Sequence, residues 1–179
     1  VRAIDLNHNG ACLGYLVEEK PKLNVRPEML AQIGLAGGPW INELKSNLSR
    51  ATIEIDGKHH DAAKLRSKLL VETPGESIAY LTDFLLDEAT FCDLTEWLRG
   101  CQTVVCEAQY RHGDLELAKR NYHTTAIAVA ELAAAAHVKG LVLLHLSDRY
   151  PPAEWLEMLA ECREAFPSTR FPGHWEIEA

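Results

Sequence analysis

Five polar residues adjoin apolar runs or a turn in this sequence, and their types could bind metal ions or move protons. They are three imidazoles and two carboxylates: His8, Asp83, Glu107, His123 and His145. Imidazole nitrogens and carboxylate oxygens are ligands that suit zinc, manganese and iron. Each residue also has an ordinary structural explanation, so only the whole set predicts a metal-dependent site.

The two acids stand where strands are expected to end. Asp83 closes the run IAYLTD, where a carboxylate binds a metal, caps a helix or is solvated. Glu107 lies in VVCEAQY, where it either orients an imidazole or is a solvated strand-end carboxylate. Because ligands of α/β sheets bind at the carboxyl ends of strands, both acids favour a common crevice at that edge.

The three histidines have different local surroundings. His145 closes LVLLH, as a metal ligand or as a core histidine bonded to backbone. His123 begins HTTAIAVAELAAAA, where Thr124 or Thr125 is predicted to cap a helix whose positive end favours an anion such as phosphate. His8, in the turn-like NHNG, is by its local sequence an exposed turn residue more readily than a ligand.

The elements that must position these residues form an α/β pattern. Residues 1–19 alternate as in a hairpin with a turn at Asn9-Gly10. A short helix is predicted in RPEMLAQIG, with Pro27 near its first turn, and a tight turn at Asp56-Gly57. Apolar runs then alternate with amphipathic segments. Strands are predicted at 77–84, 103–110, 140–147 and in the final HWEIE, and helices near 90–99, 124–136 and 152–165.

Composition limits the classes of function. The 179 residues carry a net charge of −8, and the composition shows no cluster of basic residues that would bind nucleic acid. No membrane span or signal leader is recognised, and five cysteines without CxxC spacing favour the reducing cytoplasm. Because the chain opens on Val1 in a strand-like stretch, we expect missing sequence upstream.

The order of the pieces resembles the ribonuclease Z branch of the metallo-β-lactamase superfamily, from about Ala3 to Glu178. LVLLHLSDRY is the most specific match, since it is similar to the family's Leu-Thr-His-Phe-Ser-x-Arg-Tyr signature. LNHNGACLGYLVEE, YLTDF and YHTTA resemble three further motifs, and GLAGGPWINELK resembles the stretch near the family's tRNA-gripping arm. VVCEAQY resembles the His-Glu-Ala-Thr motif, with Cys106 and Gln109 substituted.

The resemblance implies a particular half of a fold. The family's His-x-His-x-Asp-His motif is absent, since His59-His60 lacks both the spacing and the following acid. Residues 1–179 would then be the C-terminal part of a metallo-β-lactamase domain, the second half of its αββα sandwich, with an arm-like excursion at about 20–50. Partners are therefore expected to be the missing N-terminal half or a second copy in a homo-oligomer, which would cover the exposed surface.

The resemblance also implies a set of ligands. His8, Asp83 and His145 would bind metal, with Asp83 bridging two divalent ions. Zinc is the expected metal, and manganese or iron are the alternatives, because these ligand types suit all three.

The implied reaction is hydrolysis of a phosphodiester by a metal-activated hydroxide, as in a ribonuclease Z-like endoribonuclease. His123, braced by Glu107, would protonate the leaving oxygen, and Ser147 and Arg149 would bind substrate. Two alternatives stay open: hydrolysis of another ester or a lactone, and a non-catalytic half-domain that acts as a structural partner. The acidic balance and the sparse basic residues of the arm stand against a tRNA substrate.

Overall fold

The computed structural model describes residues 1–175 and 177, which contain ten strands and seven α-helices. The strands are β1 Arg2–Asp5, β2 Leu13–Glu18, β3 Lys22–Val25, β4 Thr52–Ile55, β5 Lys58–Asp61, β6 Leu70–Thr73, β7 Ser77–Leu81, β8 Thr103–Glu107, β9 Gly140–Leu144 and β10 Thr169–Arg170. The helices are α1 Pro27–Gln32, α2 Trp40–Ser46, α3 Ala62–Leu69, α4 Glu88–Trp97, α5 Leu115–Arg120, α6 Ala126–Ala135 and α7 Pro152–Ala165, with a 3₁₀ turn at His112–Asp114.

The chain forms two compact units, of which the first contains Val1–Glu18 and Glu76–Ala179. Its centre is a six-stranded sheet in the order β1-β2-β7-β8-β9-β10. Strands β7, β8, β9 and β10 run parallel, and the hairpin β1-β2 is added to β7 in antiparallel pairing. Because β2 is antiparallel to both neighbours, β1 runs in the same direction as β7. The carboxyl ends of β1, β7, β8 and β9 therefore lie at one edge.

Helices cover one face of this sheet. Leu16, Ala79, Leu81, Val104 and Cys106 point into the core, as the alternation of a strand requires. The alanine-rich helix α6 packs against β8 and β9 and against α4 and α7. Because alanine side chains are small, α6 lies close to the sheet on one side and to the neighbouring helices on others.

The opposite face of β2 and β7 is uncovered and apolar. Leu13, Tyr15, Val17, Ile78 and Tyr80 are between 41% and 47% exposed. Tyr15 lies opposite Tyr80, and Val17 lies opposite Ile78, so the side chains form one continuous surface. We call these five residues the open sheet face. Large contiguous apolar surfaces of this kind mark sites of association.

The second unit, Glu19–Gly75, has its own small core. Strands β3 and β6 pair antiparallel, and β4 and β5 form a hairpin. Asp61 caps α3 by accepting a hydrogen bond from the Lys64 amide at 3.0 Å. The core consists of Trp40, Leu44, Ile53, Ile55, Ala62, Leu65, Leu69 and Leu70. The excursion expected at about 20–50 lies within this unit, which continues to Gly75.

Most predicted elements are present, with shorter bounds. The hairpin at the amino end, the helix after Arg26 and the turn at Asp56-Gly57 are confirmed. The strands predicted at 77–84, 103–110 and 140–147 each end three residues early, because the chain turns out of the sheet after Leu81, Glu107 and Leu144.

Two predicted details differ from the structure. Thr125 is the N-cap residue of α6, but neither threonine caps it through a side chain: Thr124 and Thr125 are buried, and Thr125 makes no side-chain cap hydrogen bond. The final strand HWEIE falls partly outside the described residues, and its described members His174, Trp175 and Ile177 are not in a strand. Within the described range, no helix is both long and apolar enough to cross a membrane.

Candidate metal centre

The sheet register brings three of the predicted residues to one place. Leu81, Cys106 and Leu143 lie side by side on β7, β8 and β9. Asp83 follows Leu81 by two residues, Glu107 follows Cys106 by one, and His145 follows Leu143 by two. Parallel strands end at the same edge, so these side chains converge there.

The chain takes left-handed backbone conformations at this edge. Asp83 has φ 53°, His145 has φ 51°, and Tyr122, beside His123, has φ 57°. Left-handed conformations at residues other than glycine cost roughly 1–3 kcal/mol each, although Asp and His tolerate them better than most residues. Such conformations cluster at functional sites, and here they turn Asp83 and His145 out of the strand direction.

Four side chains offer ligand atoms that all lie within 4.8 Å of one another: Asp83, Glu107, His123 and His145. Nδ1 of His145 is 2.8 Å from Oδ1 of Asp83. Nδ1 of His123 is 4.0 Å from the same oxygen, and the rings of His123 and His145 are 5.4 Å apart between centroids. Two imidazoles and two carboxylates are thus gathered at one point.

Glu107 is held rigidly beneath this group. Its side chain is completely buried, its Oε1 accepts a hydrogen bond of 2.6 Å from the Phe84 amide, and its Oε2 lies 2.8 Å from Nδ1 of His123. This hydrogen bond with Glu107 is the main reason that the pKa of His123 is raised, and burial of the ring opposes the effect. A buried carboxylate bonded to an imidazole fixes both its orientation and its charge.

The group fits a divalent metal ion. The Oδ1 atom of Asp83 is buried and has no hydrogen-bond partner within the described residues, although Nδ1 of His145 is only 2.8 Å away. Two ligand atoms at this distance from each other can share one metal ion. Their chemistry, one imidazole nitrogen and one carboxylate oxygen, suits zinc, manganese or iron.

His8 lies beside the group and not within it. Its ring centroid is 5.5 Å from that of His123, and its Nδ1 is 3.0 Å from the carbonyl oxygen of Tyr122. This bond leaves Nε2 as the nitrogen available to another ligand. The predicted ligands Asp83 and His145 are together, and His8 borders them.

The two residues predicted to bind substrate lie on the loop after His145. Ser147 is half-buried, and its hydroxyl accepts a hydrogen bond of 3.2 Å from the Arg149 amide. The Ser147 amide bonds to the Gln109 carbonyl at 3.1 Å, and the Arg149 residue is exposed. The structure places both near the site by backbone connection, and their role in binding substrate stays a prediction.

The structure adds a contact that the sequence did not predict. The side-chain amide nitrogen of Gln109, Nε2, is 3.4 Å from Nε2 of His145, on the side of the ring away from Asp83. A cavity of about 360 Å³ lies at the same edge, and its lining includes Asp83, Glu107, His145 and Tyr80. Because Tyr80 belongs to the open sheet face, the cavity and that face adjoin. The sequence offered one signal for this contact: Gln109 is a substituted position in VVCEAQY, which resembles the His-Glu-Ala-Thr motif.

Nearly the whole chain is similar in sequence to proteins named ribonuclease Z. The chain is 47% identical to a ribonuclease Z of Deinococcus radiodurans over 175 residues, which cover 98% of the chain and 52% of that protein. It is 33% identical to a ribonuclease Z of Synechococcus sp. strain CC9605, covering 94% of the chain and 51% of that protein. The chain thus spans about half the length of the curated relatives it matches.

A solved structure shows the same fold. The metallo-β-lactamase fold protein YhfI from Bacillus subtilis superposes with a TM-score of 0.50 at 9% identity, over 94% of this chain and 44% of that one. No family model matches the chain. The fold is therefore the α/β metallo-β-lactamase type, as the sequence predicted. The chain corresponds to the C-terminal half of the ribonuclease Z-like proteins.

Proposed function

We propose that this chain is the C-terminal half of a metal-dependent phosphodiesterase of the ribonuclease Z type. One observation carries the proposal: an imidazole braced by a buried carboxylate, His123 with Glu107, stands next to the paired ligand atoms of Asp83 and His145. Phosphodiester hydrolysis needs a proton for the leaving oxygen and positive charge beside the phosphoryl oxygens. The name of these relatives, ribonuclease Z, supports the same class of reaction.

The residues divide into two roles in this proposal. His8, Asp83 and His145 would hold two divalent ions, with zinc as the expected metal. These ions, when bound, would supply Lewis acidity and lower the pKa of a water molecule to near neutrality. His123 holds a proton for the leaving oxygen, and Glu107 keeps its ring in place and favours its protonated form. Ser147 and Arg149, on the loop after His145, would bind substrate.

We further propose that the open sheet face is covered by the half of the protein that this chain lacks relative to its relatives. The site cavity is lined by Tyr80 from that face, so whatever covers the face also borders the site. The three proposed ligands, His8, Asp83 and His145, are too few for two ions, which need about four ligands each. The covering half would therefore supply the missing ligands.

The sparse basic residues of the arm stand against a tRNA substrate, but the whole second unit carries a small positive charge that is compatible with an RNA substrate, despite the acidic whole. Within Glu19–Gly75 there are nine Lys and Arg residues against seven Asp and Glu residues. The remainder of the chain holds the other nine basic residues against nineteen acidic ones. The second unit is thus net positive while the first is strongly negative. Phosphate contacts need such local positive charge and not a basic total.

The proposal also covers the domain to which the chain belongs and the cellular compartment in which it is found. Residues 1–179 form the C-terminal part of one metallo-β-lactamase domain, and the second unit is its arm. A cytoplasmic location is supported by free cysteine thiols, namely Cys12, Cys92, Cys101, Cys106 and Cys162.

A second candidate, a non-catalytic half-domain that acts as a structural partner, is favoured by one observation. His8 lies outside the cluster of four ligand residues, with its Nδ1 bonded to the Tyr122 carbonyl. A chain that gathers too few ligands for two ions could serve only to hold its partner.

One experiment separates the two candidates. Metal content by plasma mass spectrometry and hydrolysis of bis(p-nitrophenyl) phosphate are measured on this chain, with and without the N-terminal half of the Deinococcus radiodurans relative. We expect the mixture to take up two ions per chain and to hydrolyse the ester, and His145→Ala to lose both. His59→Ala, an exposed histidine of the second unit, is the matched control. A complex that forms but takes up no metal would establish the structural role instead.

A further inference from the structure

Helix α5 leads directly to His123, and the hydroxyl groups of two buried tyrosines hold its two ends. Asp114 precedes the helix and accepts a hydrogen bond of 2.5 Å from the Tyr150 hydroxyl. Asn121 follows the helix, and its side-chain amide donates a hydrogen bond of 2.8 Å to the Tyr110 hydroxyl. Tyr110 is 7% exposed and Tyr150 is 6% exposed. Both phenol rings are therefore packed in the interior, and each hydroxyl bonds to one end of α5.

Each tyrosine is itself fixed by the backbone beside the site. The Tyr110 amide donates a hydrogen bond of 3.3 Å to the Thr124 carbonyl. The Tyr150 amide donates a hydrogen bond of 3.2 Å to the Ser147 carbonyl, on the loop after His145. Helix α5 is thus tied at one end to the segment after β8, and at the other end to the loop that follows a proposed metal ligand.

The position of His123 depends on this helix. The His123 amide donates a hydrogen bond of 3.0 Å to the Ala118 carbonyl, within α5. Oε2 of Glu107 lies 2.8 Å from Nδ1 of the His123 ring. The contact with Glu107 fixes one atom of the ring, and the bond to Ala118 fixes the backbone that carries the ring. A movement of α5 would therefore move the ring relative to Asp83 and His145.

Packing alone does not require either hydroxyl, because a phenylalanine ring fills nearly the same volume. A buried tyrosine hydroxyl usually finds a hydrogen-bond partner, and the choice of partner shows what the hydroxyl holds. The Tyr150 hydroxyl donates to Asp114 and accepts from the Arg111 amide at 3.4 Å, so both bonds go to the segment before α5. The Arg111 side chain also donates to Glu154 of α7 at 2.7 Å, which ties the same segment a second time.

We propose that Tyr110 and Tyr150 are positioning residues: their hydroxyls hold α5 at both ends and so place His123 to protonate the leaving oxygen. The inference rests on the proposed function for the role of His123, whereas the anchoring of the helix stands apart from it. A displacement of about 1 Å in a reacting group can lower a rate by roughly 100-fold, so even a small movement of α5 would matter.

The test compares two substrates that differ in how much their leaving group needs a proton. Bis(p-nitrophenyl) phosphate releases p-nitrophenoxide, a weak base, whereas diphenyl phosphate releases phenoxide, a stronger base that needs the proton more. Both are assayed on the chain mixed with the N-terminal half of the Deinococcus radiodurans relative. In Tyr110→Phe and in Tyr150→Phe, the rate for diphenyl phosphate relative to that for bis(p-nitrophenyl) phosphate should fall about 10-fold. His123→Ala should lower this ratio by about 100-fold.

Two controls separate positioning from stability. Asp114→Asn keeps an acceptor oxygen for Tyr150 and should keep the wild-type ratio, whereas Asp114→Ala should lower it. Thr169→Val removes another buried hydroxyl, which donates to the Phe166 carbonyl at 2.6 Å. Thr169 pairs with Leu141 at the end of β9 away from the site, so this variant should lose stability and leave the ratio unchanged.

Hydrogen exchange of the His123 amide provides a measurement that needs no activity. It is followed on the chain alone. Each tyrosine variant should exchange this proton about 10-fold faster than the wild type, because the loss of one hydrogen bond loosens α5. Thermal unfolding shows whether each variant is folded, and the two single variants and Asp114→Ala keep the test decisive if one of them is not.

Equal losses on both substrates in folded variants, or an unchanged ratio, would overturn the inference, since the hydroxyls would then serve stability alone. If the wild-type mixture hydrolyses neither substrate, or if His123→Ala leaves the ratio unchanged, the proposed function fails. Hydrogen exchange then decides the anchoring by itself. Faster exchange in both tyrosine variants would support the anchoring of His123 by α5, and wild-type exchange in both would refute it.

Discussion

Oε2 of Glu107 lies 2.8 Å from Nδ1 of His123, and the glutamate is completely buried while the histidine ring still reaches the site. A buried acid beside a partly accessible imidazole stabilises the charged form of that imidazole. The same acid also accepts a hydrogen bond from the Phe84 amide, next to Asp83. One carboxylate thus links His123, the proposed proton donor, to the backbone beside Asp83, a proposed metal ligand.

Replacing Glu107 by Gln should lower the pKa of His123 towards its ordinary value. The hydrogen bond to the carboxylate is the largest contribution to the raised pKa, and a neutral amide lacks the charge. The measurement is an NMR pH series of the histidine ring signals in the metal-free chain. Glu116→Gln, at an exposed acid paired with Lys119, is the control. An unchanged His123 pKa in the Glu107 variant would contradict the assigned cause.

The same pair should make stability depend on pH in a defined direction. Because the pKa of His123 is raised in the folded chain, its contribution is fully present below the unfolded value of about 6.5 and is lost as pH rises through the folded pKa. Urea unfolding across this window should show that loss. In Glu107→Gln the loss should be smaller, and the variant should be less stable by about 1–3 kcal/mol at low pH.

Asp87 should stabilise helix α4 only above its own pKa. Its side chain caps the helix by accepting a hydrogen bond of 2.8 Å from the Thr90 amide, which is the main reason that its pKa is lowered. The contribution is present above the unfolded value of about 3.9 and is lost as pH falls through the folded pKa. Asp87→Ala should cost about 1 kcal/mol in urea unfolding at neutral pH. Asp93→Ala, within the same helix, should cost less.

Tyr150 should stay protonated well beyond the range of an ordinary tyrosine. Burial, and then its hydrogen bond to Asp114, raises the pKa of the phenol to about 12. Ultraviolet absorbance against pH should show one tyrosine ionising at that alkaline end, and Tyr150→Phe should remove it. Asp114→Asn should shift the step downward. If the same late step remained in the phenylalanine variant, its assignment to Tyr150 would be refuted.

The open sheet face should drive association of the chain. Ile78 and Tyr80 are each nearly half exposed at alternate positions on the same face of β7, where they would be covered by a partner. Ile78→Glu should weaken self-association, and binding to an added N-terminal half, about 10-fold, as loss of a buried apolar side chain worth about 1.4 kcal/mol predicts. Sedimentation velocity measures both. Leu48→Glu, at an exposed leucine of the second unit, should have no effect, and equal effects of both variants would contradict the assignment.

The sequence by itself determined the hairpin at the amino end, the positions of β7, β8 and β9 along the chain, the α/β class and the resemblance to ribonuclease Z. It also placed Asp83, Glu107 and His145 at strand ends, because polar residues that follow apolar runs are visible locally and parallel strands end together. The resemblance of LVLLHLSDRY and YLTDF to family motifs added roles to these positions. Local patterns and motifs were sufficient for these three residues because their positions depend only on how apolar and polar residues follow one another along the chain.

Other features were decided only by the tertiary structure. The contact of Gln109 with His145 depends on the register between β8 and β9, which couples residues 36 positions apart. Thr125 is a strong capping type by sequence, yet it makes no side-chain cap because its hydroxyl is buried in the packed interior. The positive net charge of the second unit could be counted only once the structure showed that the unit extends to Gly75. Long-range pairing and packing set these features, and no local pattern contains that information.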